Sequence, residues 1–135
     1  MITESNGYSW PNADAILDET SAFMESMGHR MVLNDRDAFE AGLERAKSAA
    51  EYQPEANVAH LAALMFDGIA TRHALMDGNK RAGAIAALTF IGMNGLFLDV
   101  SENELEAKLR ARVADQLSVG DLAAYFHVNT YPDVE

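Results

Sequence analysis

Nine consecutive residues carry most of the reactive chemistry: His73-Ala74-Leu75-Met76-Asp77-Gly78-Asn79-Lys80-Arg81. His73 is a general base suited to neutral pH. Asp77 is a hard oxygen ligand of the kind that holds Mg²⁺ jointly with phosphates. Gly78 lets the backbone approach a ligand closely. The helical pattern breaks at Asp77-Gly78-Asn79 and resumes after it. The free N–H groups of the next helix's first turn then face the break and form an anion site. Lys80 and Arg81 add a compact ammonium and a planar guanidinium at the same place. A base, a metal ligand, a backbone nest and two cations describe phosphoryl or nucleotidyl transfer.

Taken alone, His73 and Asp77 are a polar pair four residues apart, common on helix surfaces, or two ligands of a zinc site. The attached Gly-Asn-Lys-Arg favours the reactive reading. Zinc is disfavoured because His29, His60 and His127 lie at no recognisable ligand spacing. No Gly-Lys-Ser/Thr occurs, which removes a Walker A loop. Arg72 reads as a solvated helix residue in preference to a further phosphate ligand, and His60 as a helix-surface or core histidine. Asp67 reads as a cap or a partner of Arg72, and Glu102, Glu104 and Glu106 as a solvated face. The methionines read as core filler.

The elements around this segment have a helical period. Leu61, Leu64, Met65, Gly68 and Ile69 recur on one face between Ala56 and Ala70, with Pro54 at the entry. From Ala82 to Leu98 the run is apolar nearly all round, which places a helix in the middle of a bundle, stopping at Asn94-Gly95. Ser101 to Glu104 forms a capping box for a helix through about Val113, and Ser118 to Asp121 opens another through about His127. Asp35 or Asn34 caps a helix through Ala46. Pro11-Asn12 precedes an amphipathic stretch with Ile16, Leu17, Phe23 and Met24 on one face. No strand pair is evident. Phe97 to Val100 looks extended, a hairpin fits near Ser48 to Tyr52, and the tail from Thr130 is expected to fray. Tyr8 and Trp10 suit either the bundle or a partner. The expectation is one all-α domain over residues 1–135, a bundle of about six helices.

The chain has 135 residues, no Cys and a net charge of −11, from 21 acidic and 10 basic residues. That length buries a core without staples. Lack of Cys removes disulfides, thiolate metal sites and a Cys nucleophile, and fits a reducing, cytoplasmic compartment. The acidity argues against direct nucleic-acid binding or an anionic membrane surface. No apolar run is long enough to span a membrane, and no signal peptide is visible before Asp14. The exclusion is of broad surfaces, not of small anions. Arg72, Lys80 and Arg81 fall within ten positions that hold a single acid, Asp77.

The segment resembles the signature of the Fic/Doc superfamily, His-x-Phe-x-Asp/Asn-Gly/Ala-Asn-Lys-Arg, and in particular that of the Doc (death-on-curing) toxins of toxin–antitoxin pairs. Six fixed residue types fall within nine positions. The flanks are similar too: DAFEAGLERA before the motif, then FIGMNG and SENELEAKLRARVADQLSVGDLAAYF after it. The resemblance covers about Asp35 to Phe126. It implies a Fic/Doc-like helical bundle in which His73 deprotonates a target hydroxyl and Asp77 holds Mg²⁺. Gly78 and Asn79 would form the anion-binding turn, and Lys80 and Arg81 would hold the phosphates of ATP. Fic adenylyltransferases typically carry Gly at the position of Lys80 and a second Arg three residues after Arg81, where this chain has Ala84. Doc proteins carry the Lys and are kinases whose known target is a threonine of elongation factor Tu. Lys80 and Ala84 therefore favour the kinase over the adenylyltransferase, with a non-catalytic binding module as a third reading.

Three departures stand out: Ala74 for the common Pro, Leu75 for the core Phe, and Gly78 where the founding Doc toxin has Ala. The first thirty residues resemble the family less. The autoinhibitory pattern Ser/Thr-x-x-x-Glu-Gly/Asn is nearly met by Ser21 and Glu25 but broken by Ser26. The resemblance then implies inhibition by a separate Phd-like antitoxin. A flap that positions the target is expected between Arg45 and Tyr52.

Overall fold

The computed structural model describes residues 3–5 and 7–134. Six helices form an all-α bundle: α1 (Ala13–Ser26), α2 (Arg36–Tyr52), α3 (Val58–Ala70), α4 (Asn79–Met93), α5 (Glu102–Val113) and α6 (Val119–Val128). Five of them begin at a side chain that accepts an N–H from the first turn: Asn12, Asp35, Asn57, Ser101 and Ser118. Such caps satisfy donors that the helix itself cannot. The sixth, α4, begins at Gly78 and has no side-chain cap.

Helix α4 lies in the middle of the bundle, as its apolar run predicts, but the most enclosed helix is α3. It is buried at Ala59, Leu61, Ala62, Ala63 and every residue from Met65 to Ala70, and it packs on α2, α4 and α6. Helix α4 keeps an open side at Leu88. Its all-round apolarity comes from small residues, and Ala82, Gly83, Ala84, Ala86 and Ala87 let neighbours approach closely. A tighter approach occurs where α2 crosses α3. A methyl group on Gly42 would collide with the backbone of Gly68, and one on Gly68 with the backbone of Gly42. Only glycine at both positions allows this crossing.

Two short antiparallel ribbons flank the bundle, where sequence patterning showed no strand pair. Strand β1 (Thr3–Ser5) pairs with β2 (Tyr8–Trp10), and β3 (Leu96–Leu98) pairs with β4 (Thr130–Pro132). Three-residue strands are too short to show a period of two. Residues 130–133 are held rather than frayed: the Asp133 N–H donates to the Gly95 carbonyl and the Asp99 N–H to the Asn129 carbonyl, while Glu135 lies outside the described residues. Trp10 is 3% exposed and stacks on Phe90, with ring centroids 4.7 Å apart. The N-terminal aromatics thus close one end of the core.

Residues 45–52 form the last turns of α2, not a hairpin. Ala46 and Ala50 extend the buried stripe of that helix past its expected end, and no Gly or Asn turn interrupts it. The helix stops at Gln53 because the following Pro54 disfavours the helical conformation there. Pro54 then sits in a turn, and α3 starts later, at the Asn57 cap. Asp67 pairs neither with a cap nor with Arg72. It is the buried centre of an ion network, with Arg45 at 2.5 Å from α2 and Arg112 at 3.0 Å from α5. Asp67 is the buried member and the two arginines reach it from the neighbouring helices, so the set ties α2, α3 and α5 together. No helix of the described residues is long and apolar enough to cross a membrane.

The glycine crossing yields a direct test. Gly42→Ala should cost about 1–3 kcal/mol, the usual penalty for overpacking a filled contact. Urea unfolding should show a lower midpoint at an unchanged slope.

Candidate functional site

The motif connects the two central helices. Helix α3 ends at Thr71, whose hydroxyl donates to the Asp67 carbonyl at 2.6 Å. The chain then turns sharply, with His73 at φ 54° in the left-handed region, a conformation few non-glycine residues adopt. His73 and Asp77 are therefore loop residues, not neighbours on one helix. His73 stays exposed while Ala74 and Leu75 are buried, at 1% and 2% exposure. The Ala74 carbonyl accepts the N–H groups of Asn34 and Asp35, and the Met76 N–H donates to Val32. Leu75 forms an isolated bridge with Leu33. The main chain around Leu75 is thus anchored to the segment before α2.

Asn79 closes the loop. Its side-chain oxygen accepts the Leu75 N–H at 3.0 Å, and its amide donates to the Leu75 carbonyl at 2.9 Å. Gly78, at φ 88°, then turns the chain into α4, and the Gly78 carbonyl takes the first helical bond from Ala82 at 2.8 Å. A side chain on Gly78 would be strained and would meet the Met24 sulfur at 2.6 Å. The Asp77 carboxylate accepts the Gly78 N–H at 2.8 Å and lies exposed at the rim. Among the described residues, no group of three or more His, Cys, Asp or Glu is placed to hold a metal. A lone carboxylate fits Mg²⁺, which keeps waters and binds through one or two carboxylates plus phosphates.

The two cations leave α4 in different directions. Arg81 lies over the Phe23 ring of α1, with its guanidinium carbon 4.0 Å from the centroid. Lys80 reaches Glu106 of α5 at 3.0 Å, and Arg110 reaches the same carboxylate oxygen at 2.6 Å. These two hydrogen bonds, first from Lys80 and then from Arg110, hold the Glu106 carboxyl below the usual carboxylate range. Glu106 is thus more than part of a solvated face, and Glu104 likewise accepts the Tyr125 hydroxyl at 3.0 Å. Between α4 and α5 runs a groove of about 400 Å³, with Lys80, Arg81 and Glu106 at one end and Ala84, Leu88, Leu105 and Leu109 along it.

The structure thus places His73 and Asp77 on the exposed loop that leads into α4 and Gly78, Asn79, Lys80 and Arg81 at the start of that helix, with Asn79 turned to Leu75, Lys80 to α5 and Arg81 to α1. Arg72 is exposed beside them, and His60 lies on α3. Sequence reading missed Phe23, Met24, Glu106 and Arg110 as neighbours of the site. Phe23 and Met24 showed only as apolar positions, and nothing local marked Glu106 out from Glu102. The methionines divide: Met24 and Met65 are buried, whereas Met76 stands 69% exposed on the motif loop.

Comparison with known proteins gives one sequence match. The profile described as "Fic/DOC family" matches residues 11–91, more than half of the chain. No curated protein sequence matches significantly. Among solved structures the chain is similar to BepC, a VirB-translocated Bartonella effector protein from Bartonella tribocorum, whose structure has AMPPNP bound. The identity is 13% and the TM-score 0.47, over 97% of this chain and 56% of BepC. The chain therefore spans little more than half the length of that protein.

The closure by Asn79 can be tested separately from any activity. Asn79→Ala leaves both main-chain groups of Leu75 without their partners and should cost about 1–3 kcal/mol in unfolding free energy. Hydrogen exchange should show the increase in opening concentrated between His73 and Gly78. Uniformly faster exchange would instead mean that the side chain supports the whole bundle.

Proposed function

Because the chain belongs to the Fic/DOC family, we propose that it is a Doc-type toxin that moves the γ-phosphate of ATP to a Ser or Thr hydroxyl of a translation protein, such as elongation factor Tu. One observation carries the reading. The N-terminus of α4 has no side-chain cap, Lys80 and Arg81 lie on its first turn, and the loop that leads into it carries the exposed His73 and Asp77. Exposed N–H groups at a helix start favour phosphate oxygens, and fixed donors there stabilise the charge of a transferring phosphoryl group.

In this reading His73 takes the proton of the target hydroxyl as its oxygen attacks the γ-phosphorus. The bond from that phosphorus to the bridging oxygen breaks, and ADP leaves. Lys80, Arg81 and the first-turn N–H groups, including that of Asn79, hold the phosphates, and Gly78 lets them approach. Asp77 would hold Mg²⁺, which when bound neutralises phosphate charge. His73 is exposed, so a macromolecular hydroxyl can reach its imidazole. Lys80 and the cation-free position Ala84 support phosphoryl over adenylyl transfer, by resemblance to the Doc pattern. Gly78 supports the alternative, a Fic-type adenylyltransferase, because it is the Fic-like choice at that position.

Regulation in this reading comes from a separate Phd-like antitoxin in the cytoplasm. Ser21 and Glu25 lie on α1, which packs against α4, but Ser26 stands where the autoinhibitory pattern needs Gly or Asn.

The purified chain, incubated with Mg²⁺, γ-labelled ATP and a bacterial lysate, should label a protein band, and His73→Ala should abolish the label. Label from α-labelled ATP alone would establish adenylyl transfer instead. Growth arrest on expression that survives His73→Ala would point to a binding module.

A further inference from the structure

We propose that Glu106 is a positioning residue of the phosphate site: it parks the Lys80 ammonium on α5 and yields it only to a polyphosphate long enough to reach it. The proposal rests on the ATP-using reading above and adds a residue outside the motif.

Lys80 and Arg81 are adjacent on the first turn of α4, yet they are not equally available. Arg81 rests on an aromatic face, which attracts a cation but leaves the edge of its guanidinium able to bond a phosphate. Lys80 is held by a full opposite charge at 3.0 Å. A phosphate can use that ammonium only by competing with the carboxylate. The carboxylate also lines the same groove as Lys80 and Arg81, so it repels an incoming polyanion as well as occupying its partner.

Arg110 makes the exchange feasible. It shares Oε1 of Glu106 at 2.6 Å and lies one helical turn further along α5. When Lys80 moves to a phosphate, Glu106 keeps Arg110, and neither charge is left unpaired. Both Lys80 and Glu106 are more than one-third exposed, so the pair is screened and its effect is modest. The expected size is therefore a few-fold change in affinity. A ligand with a single phosphate can occupy the helix N-terminus without drawing on Lys80. Its binding should be nearly indifferent to Glu106.

The test is calorimetric titration of Mg·ATP and of AMP into wild-type protein, Glu106→Gln, Glu106→Asp, Lys80→Met and the Lys80→Met/Glu106→Gln pair. Glu106→Gln should tighten Mg·ATP about three- to five-fold, the scale of one exposed ion pair. AMP affinity should change less than about two-fold, Glu106→Asp should stay near wild type, and the gain should vanish in the Lys80→Met background. Equal tightening of AMP, or a gain that persists without Lys80, would make Glu106 a general field effect and overturn the proposal. Unchanged or weaker Mg·ATP binding in Glu106→Gln, with its unfolding midpoint preserved, would also overturn it. A Glu106→Gln gain without transfer of label would sink the transferase reading alone. Label transfer without the gain would sink this proposal alone. Absence of Mg·ATP binding in every variant would sink both.

Discussion

The site depends on two hydrogen bonds between the Asn79 side chain and the main chain of Leu75. They fix the short connection that reverses the chain between the two central helices. A buried peptide group without partners is costly, so a loop that places Leu75 at 2% exposure must satisfy both of its polar atoms. Asn is suited to the task because one side chain offers an acceptor and a donor together. With the loop closed, α4 starts at a left-handed Gly78 rather than at a capping side chain. The other five helices each give one first-turn N–H to an Asn, Asp or Ser cap.

That arrangement has a division of labour among three consecutive residues. Asn79 turns back into the loop, Lys80 reaches α5, and Arg81 reaches α1. Successive helical side chains diverge by about 100°, so neighbours in sequence face different elements. Phe23 of α1 lies against Arg81, and Met24 occupies the space that a side chain on Gly78 would need. Arg81 and Lys80 are therefore held from different sides, by an aromatic face and a carboxylate. A net charge of −11 and a local cationic nest coexist because the range of charge effects is short in salt water.

Beneath the site, two constraints set the helices' spacing. The Gly42–Gly68 contact brings α2 and α3 together, and Asp67, one residue before Gly68, draws Arg45 from α2 and Arg112 from α5. Distance and register at this crossing are thus set by adjacent positions on α3. The end of α3 then leads directly into the motif loop.

The sequence by itself determined the helical class, the starts of α1, α2, α5 and α6 and the reactive segment, because these are local. Asn, Asp and Ser caps act within three residues, a buried stripe repeats every three to four, and the motif spans only nine. It also marked Trp10, Phe23 and Met24 as apolar, but not what they would touch. Tertiary structure decided what depends on distant partners. Residues 130–132 became a strand because residues 96–98 lie beside them, and 45–52 stayed helical because Ala46 and Ala50 found the core. Asp67 chose two arginines 22 and 45 positions away rather than the nearby Arg72. Glu106 looked like any surface acid until packing of α5 brought it to Lys80, 26 residues earlier. Local propensity can specify a helix and its cap, but a charge's partner is fixed only when the bundle closes.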